Sequence, residues 1–184
     1  MQHGIHGLYV ITDSALQLDL PGAVEQALLG GARLVQYRDK HASWRQRLER
    51  ALELKKLCLQ YEVCFIVNDD VSLAKAVNAD GVHLGEHDKA LSQARADLGA
   101  EKIIGVSCYN QLVRALRAQQ MGADYVAFGR FFPSYSKPMA RLASVDLLKQ
   151  ARPLLKIPMV AIGGITAFNS KPLLAAGVDA LAVI

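Results

Sequence analysis

The sequence predicts a single (β/α)8 barrel of the TIM type that spans residues 1–184 and reaches its end in strand eight, without a last helix. Three observations predict it. Eight short apolar runs alternate with segments of helical spacing along the whole chain. A similar lead-in precedes every second run. No linker or low-complexity stretch interrupts the alternation, so one domain with one core is expected.

The first residues, MQHGIHG, lack the basic flank and apolar segment of a secretory leader, and a strand begins directly after them. A cytoplasmic protein is therefore expected, with His3 and His6 in a frayed terminus. The runs are GLYVIT (7–12), RLVQYR (33–38), CFIVN (64–68), GVHL (81–84), KIIGVS (102–107), YVAFG (125–129), PMVAIGG (158–164) and ALAVI (180–184). Their mostly apolar character suits strands covered on both faces and argues for a closed barrel rather than an open doubly wound sheet. Between them, residues 44–61 illustrate the helices: Ser43 and Gln46 stand in capping-box register, and Leu48, Ala51, Leu52 and Cys58 fall on one face. Trp44 begins this helix and is expected to pack.

The lead-ins read GARLVQYR from 31, NADGVHLG from 78, GADYVAFG from 122 and GVDALAVI from 177. Each places a small pair after a helix and before an apolar strand, so two βα units form the repeating element.

Composition excludes several classes. There is no apolar run of membrane-spanning length among residues that are 52% hydrophobic. Cys58, Cys64 and Cys108 are odd in number and lack CxxC spacing, so reduced, buried thiols are expected rather than a disulfide frame or zinc site. Twenty-one Lys and Arg against 17 Asp and Glu give a net +4, without a basic run. This suits a small anionic ligand better than a nucleic-acid duplex, and no membrane partner is expected.

Chemistry in such barrels sits at the carboxyl ends of the strands. These ends carry Thr12 and Asp13, then Gln36, Arg38, Asp39 and Lys40, then Asn68, Asp69 and Asp70, then Glu86, His87 and Asp88, with Ser107, the loop GRFFPSYSKP and Gly163–Gly164 completing the rim. Asp69 and Asp88, on neighbouring strands, can share a hard cation, because Mg²⁺ takes one or two carboxylates plus water and phosphate oxygens. Asp70 precedes VSLAKAV and reads as a helix cap. Arg38 offers a fork for phosphate oxygens, Lys40 and Lys137 act as point charges, and the glycine pair lets backbone N–H groups approach an anion. His83, inside GVHLG, reads as an interior residue with a hydrogen-bonded ring.

The stretches LYVITD, LVQYRDK, FIVNDDVSLA, ADGVHLGEHD, IIGVSCYN, GADYVAFGRFFPSYSKP and VAIGGIT resemble, in order and across nearly the whole chain, the thiamine phosphate synthase family, which includes the related thiazole tautomerases. The resemblance implies a Mg²⁺-dependent transfer in a (β/α)8 barrel: an aminopyrimidine methyl diphosphate joins a thiazole ethyl phosphate, and diphosphate departs. It implies that Gln36, Arg38, Lys40, Asn68, Ser107 and Lys137 hold the pyrimidine diphosphate, with Tyr37 and Asp39 counted in the same substrate-binding stretch. It assigns Asp69 and Asp88 to the metal, and Ser134, Tyr135, Ser136 and Gly164 to the thiazole phosphate. Arg38, Lys40 and Lys137 would stabilise the leaving group. With one Mg²⁺ and two carboxylates they leave a surplus of about three positive charges, matching a diphosphate of about three negative ones. No nucleophile or general base is then required of the protein.

The chain departs from the family pattern at three places. Asp39 replaces a usual Glu, serines replace threonines around Tyr135, and the strand-eight serine and last helix of the family are absent from these 184 residues. Two alternatives follow. Tautomerases of this fold use a histidine where this chain has Tyr109, and a non-catalytic barrel binding thiazole or thiamine phosphate would tolerate the missing end. Both alternating faces of ALAVI are apolar, so the chain is expected either to be part of a longer protein or to self-associate as a homo-oligomer.

Overall fold

In the computed structural model, which describes residues 4–13, 19–85, 88–133 and 142–184 with backbone only at 88–90, the apolar runs form eight parallel strands in one closed barrel. The elements alternate as β1 (Gly7–Ile11), α1 (Leu20–Leu29), β2 (Ala32–Tyr37), α2 (Trp44–Gln60), β3 (Cys64–Asn68), α3 (Val71–Ala76), β4 (Gly81–Leu84), α4 (Asp88–Leu98), β5 (Ile103–Tyr109), α5 (Leu112–Gln120), β6 (Tyr125–Gly129), α6 (Val145–Ala151), β7 (Met159–Ile162), α7 (Lys171–Ala175) and β8 (Ala180–Val183). Closure is made by β1 against β8, with Gly7 opposite Ala180 and Val10 opposite Val183.

Strand alternation divides the core in two. Inside the barrel, Tyr9, Ile11, Leu34, Cys64, Ile66, Tyr125, Ala127, Val160, Ala180 and Ala182 pack together, with Ile5 tucked in before β1. Outside, the opposite strand faces meet the helices: Val35, Phe65, Val67, Val82, Val126 and Phe128 pack against Ala51, Leu54, Leu73, Ala115 and Leu148. The outer face of β8 presents Leu181 and Val183, both partly buried. All three cysteines are buried and none is in a disulfide.

The expected boundaries shift where the backbone turns. β5 runs on to Tyr109, past a register shift between Ser107 and Tyr109, and Tyr109 has a positive φ of 55°. β7 stops at Ile162 because Gly163 and Gly164 take φ of 105° and 64°, which no extended strand accommodates.

The capping box at Ser43 and Gln46 forms, each side chain accepting the other's backbone N–H. The buried face of α2 differs from expectation. Ala51, Leu54 and Cys58 are buried, whereas Leu52 is 49% exposed. Each residue advances about 100° around a helix, so Leu52 turns away once Ala51 faces the sheet. Trp44 is also exposed rather than packed, with the Arg47 guanidinium 5.6 Å from its ring centroid.

The sequence repeat has a physical basis at the amino end of the barrel. Its first residue is the left-handed residue that ends the preceding helix: Gly31, Asn78, Gly122 and Gly177 have φ of 92°, 48°, 88° and 86°. In three of the four copies its third residue is an aspartate that clips neighbouring strands. Asp80 accepts the Phe65 N–H at 2.8 Å, Asp124 the Ile104 N–H at 2.7 Å and Asp179 the Met159 N–H at 2.7 Å. Each also takes a cation from a helix or its carboxyl cap: Lys55 of α2, Arg95 of α4 and Arg152 just after α6 respectively. Arg33 occupies this place in the first copy.

Candidate active site

Parallel strands all point their carboxyl ends to one mouth, so residues distant in sequence converge there. The mouth opens into a cavity of about 130 Å³ lined by Gln36, Arg38, Asn68 and Ser107 above a floor that includes Tyr9, Ala127, Val160 and Ala182. Four of the expected site residues are therefore brought together. The small floor residues of β6, β7 and β8 are what leave the space open.

At the end of β2, the Arg38 backbone N–H donates to Thr12 Oγ1 at 2.9 Å, and the buried Thr12 hydroxyl also contacts the Arg38 carbonyl at 3.3 Å. Thr12 thus fixes the strand end that carries the guanidinium. Lys40, half-exposed, has its Nζ 3.6 Å from Asp69 Oδ2. Asp69 itself has φ of 59°, and its N–H donates to the His83 carbonyl at 2.8 Å. That torsion keeps its carboxylate at the mouth, where Asn68 Nδ2 donates to it at 2.8 Å. Asp70, one residue on, returns to φ of −90° and caps α3, accepting the Leu73 N–H at 2.9 Å and the Arg47 guanidinium at 2.8 Å.

Three residues of the expected substrate-binding stretch do not line the cavity: Lys40 stays beside Asp69, and Tyr37 and Asp39 turn away. Tyr37 follows the inward Gln36 and so points outward; it is 1% exposed in the helix-facing core, and burial pushes its hydroxyl up to about 12. Asp39 turns into its own loop. Burial alone would raise its carboxyl, but the His41 and Ala42 N–H groups at 3.0 and 3.1 Å, with the Arg50 guanidinium at 2.7 Å, outweigh it and hold the carboxyl below its ordinary value. Asp39 therefore shapes the loop that presents Arg38 and Lys40.

The glycine pair after β7 serves close packing. The residues after β6 fold onto it, with Phe131 N–H donating to the Ile162 carbonyl at 3.2 Å and Phe132 N–H to the Gly163 carbonyl at 3.0 Å. A Cβ on Gly163 would collide with Arg130, and one on Gly164 with Phe132 and Pro133. Gly163 lines the cavity beside Arg130. Gly164 lies behind it, its carbonyl accepting Asn169 Nδ2 at 2.9 Å.

Sequence reasoning missed Arg130 and Tyr109 on the cavity wall. A signal for Arg130 existed: it follows β6 immediately, as Arg38 follows β2. Tyr109 is reached only through the register shift of β5. Behind it Arg114 of α5 ties two strand ends together, donating to the Ser107 and Gly85 carbonyls at 2.7 Å each.

Of the carboxylate pair expected at a metal, the structure describes Asp69, whose half-exposed carboxylate receives, among the described residues, no backbone N–H cap of the kind that occupies Asp70 and Asp39. Hard oxygen donors of this kind fit a divalent cation. Asp88 begins α4 beyond the neighbouring strand, β4; its side chain, Glu86, His87 and the loop residues Ser134, Tyr135, Ser136 and Lys137 lie outside the described residues. Among the described residues no helix is long and apolar enough to cross a membrane.

A family model described as thiamine monophosphate synthase matches residues 8–184. A thiamine-phosphate synthase of Nitrosococcus oceani is 51% identical over 186 residues, covering 100% of this chain and 86% of the relative. One from Alcanivorax borkumensis is 53% identical over 184 residues, covering 99% and 85%. Among solved structures, a thiamine phosphate pyrophosphorylase from Pyrococcus furiosus superposes with a TM-score of 0.88 at 41% identity, covering 97% of this chain and 85% of that one. With the model spanning all but the first seven residues and relatives at half identity over full length, the chain belongs to the thiamine monophosphate synthase family.

Proposed function

We infer that the chain acts as a thiamine-phosphate synthase, a transferase that moves an aminopyrimidine methyl group from its diphosphate to the nitrogen of a thiazole ethyl phosphate. The observation that carries this reading is the convergence of Gln36, Arg38, Asn68 and Ser107 on one cavity in a chain about half identical, over its full length, to relatives that bear that name.

The C–O bond of the pyrimidine methyl diphosphate breaks with its electron pair on the diphosphate, and the thiazole nitrogen forms the new C–N bond. Arg38 grips phosphate oxygens with its fork, and Lys40 and Lys137 add charge where the leaving group becomes more negative. Asp69 and Asp88 would hold Mg²⁺, which supplies positive charge to the departing diphosphate. Gln36, Asn68 and Ser107 orient the ring, and the buried floor of the barrel keeps water from its reactive carbon. Ser134, Tyr135, Ser136 and Gly164 would face the thiazole phosphate. This chemistry needs no side chain to act as nucleophile. Three thiols outside any disulfide suit a reducing cytoplasm for it.

The test is release of diphosphate when both substrates are supplied with Mg²⁺. Arg38→Ala should lower kcat/KM by about 10²-fold or more, on the order of 3 kcal/mol of leaving-group stabilisation. Absence of diphosphate release by the unaltered protein would refute the reading.

A further inference from the structure

The interior of the barrel carries a continuous line of polar side chains beneath the cavity. Gln36 Nε2 donates to the Tyr9 hydroxyl at 2.8 Å, Tyr9 Oη lies 2.8 Å from Tyr125 Oη, Tyr125 Oη lies 2.9 Å from His83 Nδ1, and His83 Nε2 lies 2.9 Å from Ser107 Oγ. The line begins at Gln36 and ends at Ser107, crossing the barrel between them; Tyr9 and His83 also form part of the cavity floor, and Tyr125 lies behind it. Its middle members are deeply enclosed: Tyr9 is 1%, Tyr125 0% and His83 8% exposed.

The room for it is built into the backbone. A Cβ on Gly105 of β5 would run into the Tyr125 ring. The rings then pack as a unit, Tyr9 edge-on to Tyr125 at 6.1 Å between centroids and His83 stacked on Tyr125 at 5.5 Å.

Each phenol has one proton to give, and burial holds both phenols neutral, raised well above the ordinary tyrosine value. A buried donor left without an acceptor is costly, so the links cannot choose their directions independently. With the Gln36 amide donating, Tyr9 must give its proton to Tyr125 and Tyr125 its proton to His83 Nδ1. A neutral imidazole accepting there carries its proton on Nε2 and donates to Ser107 Oγ.

We propose that Tyr9, Tyr125 and His83 are positioning residues that transmit the orientation of the Gln36 amide to Ser107, so that Gln36 presents its carbonyl oxygen, and Ser107 its hydroxyl proton, to the substrate ring. The wall then offers one acceptor and one donor, matching a heterocycle edge with an amino group beside a bare ring nitrogen and mismatching one with a carbonyl beside a ring N–H. The substrate half of this statement rests on the synthase reading; the direction of the chain does not.

The direction is read on the protein alone, from the ¹⁵N spectrum of the His83 imidazole. The expected result is a proton on Nε2 and a bare Nδ1. A proton on Nδ1, or on both nitrogens, overturns the proposal. In Gln36→Glu, at a pH where the new carboxylate is ionised and can only accept, the chain must reverse and the proton must move to Nδ1; an unmoved proton overturns the coupling. Adding Tyr9→Phe cuts the first link, so Gln36→Glu should then leave the imidazole as it is in Tyr9→Phe alone. A kinetic arm tests the consequence: Tyr125→Phe should lower kcat/KM about tenfold in the otherwise unaltered protein and less than about twofold in a Ser107→Ala background. Equal losses in both backgrounds would show that Tyr125 acts on the fold and not through Ser107.

Discussion

Asp69 and Asp70 are neighbours of identical chemistry, separated in role by one backbone torsion. Asp69 in the left-handed region faces the mouth, whereas Asp70 in the extended region turns under α3 to cap it. Their substitutions should therefore separate activity from stability. Asp69→Asn removes the charge yet keeps a residue that tolerates positive φ, so diphosphate release should fall by about 10²-fold while the melting temperature stays put. Asp70→Ala removes the cap at Leu73 and the partner of a partly buried Arg47, at a cost of about 1–2 kcal/mol. Its melting temperature should drop with kcat largely retained. Thermal melting beside the release assay checks both; a stable, fully active Asp69→Asn would remove that carboxylate from the catalytic rim.

Among the elements, the aspartate clips do at the amino end of the barrel what the site does not need at the other. Asp80, Asp124 and Asp179 each satisfy a strand N–H and draw in a helix cation, joining β4 to β3, β6 to β5 and β8 to β7. Asp80→Ala would strand the N–H of the fully buried Phe65 and leave Lys55, its side chain 19% exposed, without a counterion. We expect a loss of about 2–3 kcal/mol, seen as a melting temperature lower by roughly 5–10 °C. KM and kcat measured at 25 °C should be unchanged, because the clip lies at the end of the barrel remote from the mouth. Ser43→Ala, which removes the cap of α2, should cost about 1 kcal/mol by the same measurement.

For the whole molecule, the core sets an alkaline limit on stability. Burial pushes the Cys58 and Cys64 thiols from an ordinary 9.0 up to about 12 and the Tyr37 hydroxyl from 10.0 up to about 12, with Tyr9 and Tyr125 raised as well. Raised native values favour the protonated form in the fold. The stabilisation is complete below the unfolded values and is lost as pH climbs from about 9 toward 12. Urea midpoints should be level between about pH 7 and 9 and then fall steeply, and a thiol reagent at pH 8 should label no cysteine until the chain unfolds. Rapid labelling of the native protein would show that these thiols are not enclosed. Much of this architecture was legible in the sequence, because strand runs, helix caps and the left-handed residues of the repeat are local, as CFIVN, GVHL and YVAFG show by matching β3, β4 and β6 residue for residue. The gathering of Gln36, Arg38, Asn68 and Ser107 was legible too, since parallel strands put all their carboxyl ends on one rim. Tertiary structure alone decided that Tyr37 and Asp39 turn away, that Arg130 and Tyr109 join the wall, and that Tyr9, Tyr125 and His83 connect beneath it. Those outcomes depend on which face of each strand turns inward and at what stagger the ring closes, and that register is set by pairing between strands far apart in the chain, not by the residues of any one of them.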